Sequence, residues 1–238
     1  MLFRFTILLH LLICCSATAA LWTSGHGDIS LRYLPAPQPA LSFEWTVGTG
    51  GDSATVDGAD VYDAVYAPIS LTPVVSARRI ASPDAILTGG SVMHLLPQDS
   101  TDASLIGSPF QGWNTGLIPG GLFTGNQIRL TLTGVNGPGA VSLWSNDAFG
   151  GSDFRWASAN GFTPEDTLTL GIGGHSHYNL GFSLPGEYSL QVLAQATFDA
   201  GGNVATPMTL QYSVVPETSS SVLLLGLGAV FSRLRRRD

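Results

Sequence analysis

Residues 186–214 read GEYSLQVLAQATFDAGGNVATPMTLQYSV, and their pattern decides the fold class. Over 186–198, Tyr188, Leu190, Val192, Ala194 and Ala196 fall at every second position. That is the period of a strand with one face in a core and the other in water. Asp199-Ala200-Gly201-Gly202-Asn203 is turn chemistry, and 205–214 resumes as a strand. Upstream, Gln127-Ile128-Arg129-Leu130-Thr131-Leu132 alternates in the same way and places Ile128, Leu130 and Leu132 on one face. Shorter runs at 29–34, 40–47, 91–96, 140–144 and 166–172 have the same character. Val135-Asn136-Gly137-Pro138-Gly139 and Leu184-Pro185-Gly186 supply turns between them. Strands at roughly ten-residue spacing with no helical interlude predict an all-β, antiparallel β-sandwich. The segment 126–214 has the length of one Ig-like unit, so the C-terminal part is expected to be Ig-like. The N-terminal half leaves open one continuous sandwich or a subdivision near 100–125.

Composition agrees and narrows the function classes. Of 238 residues, 29 are Gly and 14 Pro, and only 11% are charged. All ten basic residues are Arg. Residues 21–213 hold fifteen acids against five Arg, a net charge of −10. A basic face for nucleic acid is therefore not expected. No internal apolar run approaches the ~20 residues of a spanning helix.

The two ends read as addresses. Residues 1–20, MLFRFTILLHLLICCSATAA, have Arg4, an apolar core from Phe5 to Cys15 and a small-residue A-x-A site, as a secretory signal peptide does. Cleavage after Ala19 or Ala20 removes Cys14 and Cys15, so no disulfide and no thiolate metal site is expected in the mature chain. Residues 214–238 carry Pro216-Glu217-Thr218, a short apolar transmembrane segment over 222–231, and a cluster of Arg233, Arg235, Arg236 and Arg237. This layout resembles the PEP-CTERM sorting signal of Gram-negative bacteria, with Thr218 where a second Pro is usual. The resemblance implies transient anchoring in the inner membrane, removal of the tail by an exosortase-type processing enzyme, and delivery to the cell surface or extracellular matrix.

The mature histidines stand in two suggestive places. His26 and Asp28 lie in Gly25-His26-Gly27-Asp28, and His175 and His177 in Gly174-His175-Ser176-His177. Residues i and i+2 of an extended chain project to the same side, so each pair could reach one ion. Three imidazoles and a carboxylate would suit zinc or another borderline divalent metal. An H-x-H pair in a Gly-rich loop is also what polar turn packing produces, and spacing does not bring the two pairs together. His94, among Val92, Met93, Leu95 and Leu96, reads as a structural histidine of a strand. The acidic, Gly-rich 46–63 segment lacks the alternation of a calcium loop and reads as a solvated loop. There is no G-x-S-x-G, H-E-x-x-H or phosphate-loop motif.

The same pieces resemble the surface-anchored domain family called choice-of-anchor M across nearly all of 21–213. The matching blocks are Gly25-His26-Gly27-Asp28, Leu96-Pro97-Gln98, Gly112-Trp113-Asn114-Thr115, Leu132 to Gly139, Ser145 to Gly150, and His175-x-His177-x-Asn179 followed by Pro185-Gly186-x-Tyr188. Leu180 stands where Trp is common, and His94 where an aromatic is usual. Actinobacterial relatives are associated with surface proteins near metal-uptake transporters, and the resemblance implies His26, Asp28, His175 and His177 as a ligand set. The leading expectation is a non-enzymatic surface or matrix protein with a β-sandwich binding domain coordinating a divalent metal. A secreted zinc-dependent hydrolase and a purely structural or adhesive matrix component are the alternatives.

Overall fold

The computed structural model describes residues 18–35 and 37–216. Residues 1–17 of the expected signal, and Glu217, Arg233, Arg235, Arg236 and Arg237 of the expected sorting tail, lie outside the described residues. The chain forms β1 (Ala20–Leu34), β2 (Ala40–Val47), β3 (Ala54–Val56), β4 (Ala59–Val61), β5 (Ala64–Tyr66), β6 (Leu71–Val75), β7 (Arg79–Ala81) and β8 (Val92–Leu96). A short helix α1 (Ser100–Ile106) follows, then β9 (Phe110–Asn114), β10 (Gln127–Asn136), β11 (Val141–Asn146), β12 (Ser152–Ala157) and β13 (Thr167–Gly171). The last four strands are β14 (His175–His177), β15 (Asn179–Phe182), β16 (Gly186–Thr197) and β17 (Asn203–Val214).

Alternation sets these elements as expected. In β16, Tyr188, Leu190, Val192, Ala194 and Ala196 are buried, and in β10 the buried set is Ile128, Leu130 and Leu132. Both belong to the larger sheet, whose main path runs β13-β10-β16-β17-β6-β1-β2-β5, with β3, β4, β9 and β14 attached at its sides. The second sheet is β12-β11-β15-β8-β7. Apolar faces of the two sheets pack into one core containing Trp22, Trp45, Trp113, Trp156, Phe182, Tyr188 and Tyr212. Buried aromatics of this size each remove ~150–250 Å² from water. They carry the stability of a described chain that has no cysteine. The indole of Trp156 donates to the Leu130 carbonyl at 3.0 Å, so β12 is tied onto β10 across the core.

An all-β sandwich is thus what the chain forms. An Ig-like C-terminal part is not confirmed: strands of 126–214 lie in both sheets, but they do not stand apart from the rest, since β17 pairs with parallel β6 and β15 with β8. Core residues from Trp22 to Val214 form one cluster spanning the 100–125 region. The 46–63 segment is more ordered than a solvated loop. It holds the β3–β4 hairpin, in which Asp57 (φ 51°) and Gly58 (φ 78°) adopt the two left-handed conformations of a tight turn. The folded unit closes where Val215 donates to the Val75 carbonyl at 3.1 Å, immediately before Pro216. Among the described residues no helix is long and apolar enough to cross a membrane.

Candidate metal centre

The centre is built on three neighbouring strands. Strand β9 lies between β1, its parallel partner, and β14, its antiparallel partner. The register places His26 opposite Phe110, Asp28 opposite Gly112, and His177 opposite the same Gly112. One cross-strand row therefore reads Asp28, Gly112, His177. Strand β14 has only three residues, and its position comes from β9 and Thr115 rather than from its own sequence. The Thr115 hydroxyl donates to the Gly171 carbonyl at 2.6 Å and accepts from the Gly174 amide at 3.0 Å. This pins the chain just before His175.

The four residues expected from the sequence come together. His26, Asp28, His175 and His177 each offer a ligand atom, and these atoms all lie within 4.8 Å of one another. Two donors on a tetrahedral ion at ~2.1 Å are ~3.4 Å apart. Closing the widest gap thus needs side-chain adjustments of about 0.7 Å from each of the two groups. Asp28, which separates from His175 by 147 positions in sequence, accepts from its Nε2 at 2.7 Å. His26 Nε2 stands 3.4 Å from the same Asp28 Oδ1. That contact lacks hydrogen-bond geometry, and His26 Nε2 is a buried atom with no hydrogen-bond partner. A buried, orphaned imidazole nitrogen facing a carboxylate and two further imidazoles is a costly arrangement for a polar group unless something else satisfies it.

The outer nitrogens of two imidazoles are already held. His177 Nδ1 donates to the Gln111 carbonyl at 2.9 Å, which leaves Nε2 as the unprotonated, electron-donating atom. His26 Nδ1 bonds the Thr49 hydroxyl at 3.1 Å. The Phe110 ring stacks on His177 at 3.8 Å with an interplanar angle of 5° and fixes that ring's plane.

Gly112 forms the floor. A Cβ there would fall 2.2 Å from Asp28 Oδ1, 2.7 Å from His175 Nε2 and 2.9 Å from His177 Cε1. The missing side chain is what leaves a cradle among the donors.

Electrostatics follow from the same contacts. The Asp28 carboxylate raises the pKa of His26 above its ordinary value, against the opposing effect of burial. Burial pushes the Asp28 pKa up, but the two imidazoles beside it outweigh this and hold it below the usual carboxylate value. Burial is also the main influence on His177, and here it prevails, lowering the pKa to about 4. A buried anion ringed by imidazoles, one of them neutral at all physiological pH values, is a donor set suited to a borderline divalent cation.

Sequence reasoning did not assign Gly112, Thr49, Gln111 or Phe110. Gly112 stood in a quoted motif, but its role depends on the strands either side of it. Asn179 and Gln98, from two other motifs, also meet. Asn179 Oδ1 accepts from the Gln98 amide at 2.9 Å, and Gln98 Oε1 accepts from the Asn146 amide at 2.9 Å. His94 is buried and donates through Nδ1 to the Ser76 carbonyl at 3.1 Å, the structural role its neighbours imply. Comparison with models of known protein families, with curated proteins and with solved structures finds no match to this chain.

Proposed function

We propose that this chain is an exported, non-enzymatic protein of the cell surface or extracellular matrix whose β-sandwich holds a divalent metal such as zinc on His26, Asp28, His175 and His177. The observation that carries the metal is the meeting of two i, i+2 donor pairs over Gly112, with ligand atoms within 4.8 Å. The orphaned His26 Nε2 supports it independently. Solvent reaches the centre, since the His175 side chain is 43% exposed and an open cleft lined by Ser24, His26, Asp52 and Phe110 adjoins it. Four protein donors make up the full set of a structural or carrier zinc site, whereas hydrolysis needs an open coordination position and a general base. This favours binding over the zinc-dependent hydrolase reading.

Export rests on the signal-like residues 1–20, and sorting on the likeness of 214–238 to a PEP-CTERM tail with an exosortase-type enzyme as processing partner. The last strand's pairing ends just before Pro216, which suits removal of the tail without loss of any strand. Elemental analysis of the purified protein tests the metal: about one divalent ion per chain is expected, lost in the His175→Ala/His177→Ala double variant. A protein without stoichiometric metal, or a double variant that keeps it, overturns the assignment.

A further inference from the structure

The outward face of β13, β10, β16 and β17 takes no part in the metal centre. Because Ile128, Leu130 and Leu132 point into the core, Gln127, Arg129 and Thr131 point away from it. Pairing aligns Thr169, Arg129 and Gln195 in one row across three strands. Two hollows, of about 390 and 500 Å³, lie on opposite sides of this row, and Arg129 and Gln195 wall both. The second is rimmed by Phe162, whose ring is half exposed.

Arg129 differs from the other arginines among the described residues. Arg32 pairs with Glu44, Arg155 with Asp153, Arg78 donates to the Leu105 carbonyl, and Arg79 is engaged as well. Arg129 is exposed, and its side chain makes no hydrogen bond or ion pair among the described residues. The sole carboxylate of these four strands is Glu187, which accepts from Ser213. It lies eight positions from Gln195 along β16, about 27 Å at ~3.4 Å per residue. Beyond the strands, exposed Glu165 bonds Thr163 at the rim of the second hollow, so Arg129 is the unpaired cation of the strands' own outward face, set among amides and hydroxyls.

We propose that this face binds a carboxylate-bearing, uronate-type polysaccharide, with Arg129 taking a sugar carboxylate. A guanidinium receives a carboxylate through two parallel N–H···O bonds. Gln127, Gln195 and Thr131 supply donors and acceptors together, as sugar hydroxyls require. The Phe162 ring gives a flat apolar surface for a sugar face, and the two hollows let the polymer continue in both directions past Arg129. The domain's overall negative charge does not prevent binding, since the Debye length at ~0.15 M salt is about 8 Å and exposed charges farther than this from Arg129 are largely screened.

Affinity electrophoresis through gels containing polygalacturonate, with EDTA present to remove any contribution of the metal centre, tests this. The wild-type protein is expected to be retarded, and Arg129→Gln to bind about tenfold more weakly. Phe162→Ala is expected to weaken retardation, and Arg155→Gln, on β12 of the other sheet, to leave it unchanged. Unaltered thermal unfolding of Arg129→Gln shows that the exposed substitution leaves the fold intact. No retardation, equal retardation of Arg129→Gln, or equal retardation by neutral dextran overturns the proposal.

Discussion

Gly112→Ala adds one methyl group at the point where four donors converge. Gly112 is not among the positive-φ glycines, so alanine meets no backbone strain there. The whole effect comes from what the Cβ touches. At 2.2 Å from Asp28 Oδ1 and 2.7 Å from His175 Nε2 it enters the space a shared ion would occupy. Asp28 is only 3% exposed and has no room to retreat, so the overpacking itself is expected to cost roughly 1–3 kcal/mol. Metal linkage is the more specific readout. Zinc at a hundred times its Kd stabilises the wild-type fold by about 2.7 kcal/mol. For a domain of this size that raises Tm by about 5–11 °C. Gly112→Ala is expected to show no zinc-dependent rise and no stoichiometric zinc. Melting each protein in EDTA and in zinc separates the packing cost, seen in both buffers, from the lost linkage. A Gly112→Ala protein that keeps one zinc and the full thermal shift refutes the cradle.

Further outcomes follow from the same geometry. Imidazole must be unprotonated to bind an ion, so zinc retention is expected to fall as pH drops through the histidine range. His26, with its pKa raised, is protonated before His177, whose pKa is held down to about 4. Retention that persists to pH 4 in equilibrium dialysis would contradict ligation through His26. Trp156→Ala removes a fully buried indole and its bond to the Leu130 carbonyl, and is expected to cost about 3–5 kcal/mol in denaturant unfolding. A loss below about 1 kcal/mol would show that β12 is not anchored through this residue. Asn179→Ala leaves the Gln98 amide without its acceptor and is expected to cost about 1–3 kcal/mol in the same assay; a neutral substitution would exclude the Gln98–Asn179 clasp as a support of the fold.

Strands β10 and β16 were legible because periodicity specifies them, whereas β1, the longest, buries five consecutive residues from Gly27 to Leu31 and only its 29–34 part read as a strand. Strand β16 buries each residue its alternation marks, and β10 does the same until the register shifts between Leu132 and Gly134. Short strands carried no such signal. In β15 all four residues from Asn179 to Phe182 are buried, so nothing alternates. In β9 the run FQGWN is defined by two partners and not by its own pattern. The Ig-like reading of 126–214 is not confirmed for a related reason: segment length does not encode the tertiary pairing that joins its strands to β6 and β8. Each donor pair of the metal centre was readable, since i and i+2 on an extended chain share a side. Their meeting depended on β9 lying between β1 and β14, which no local pattern encodes.

The most direct measurement is X-ray absorption at the zinc edge of the zinc-loaded protein. Three imidazole nitrogens and one carboxylate oxygen at about 2.0–2.2 Å are expected, with no sulfur, and His177→Ala should remove one imidazole from that shell. A shell with fewer than two imidazoles, or one unchanged in His177→Ala, would contradict the claim that these four side chains share a single ion.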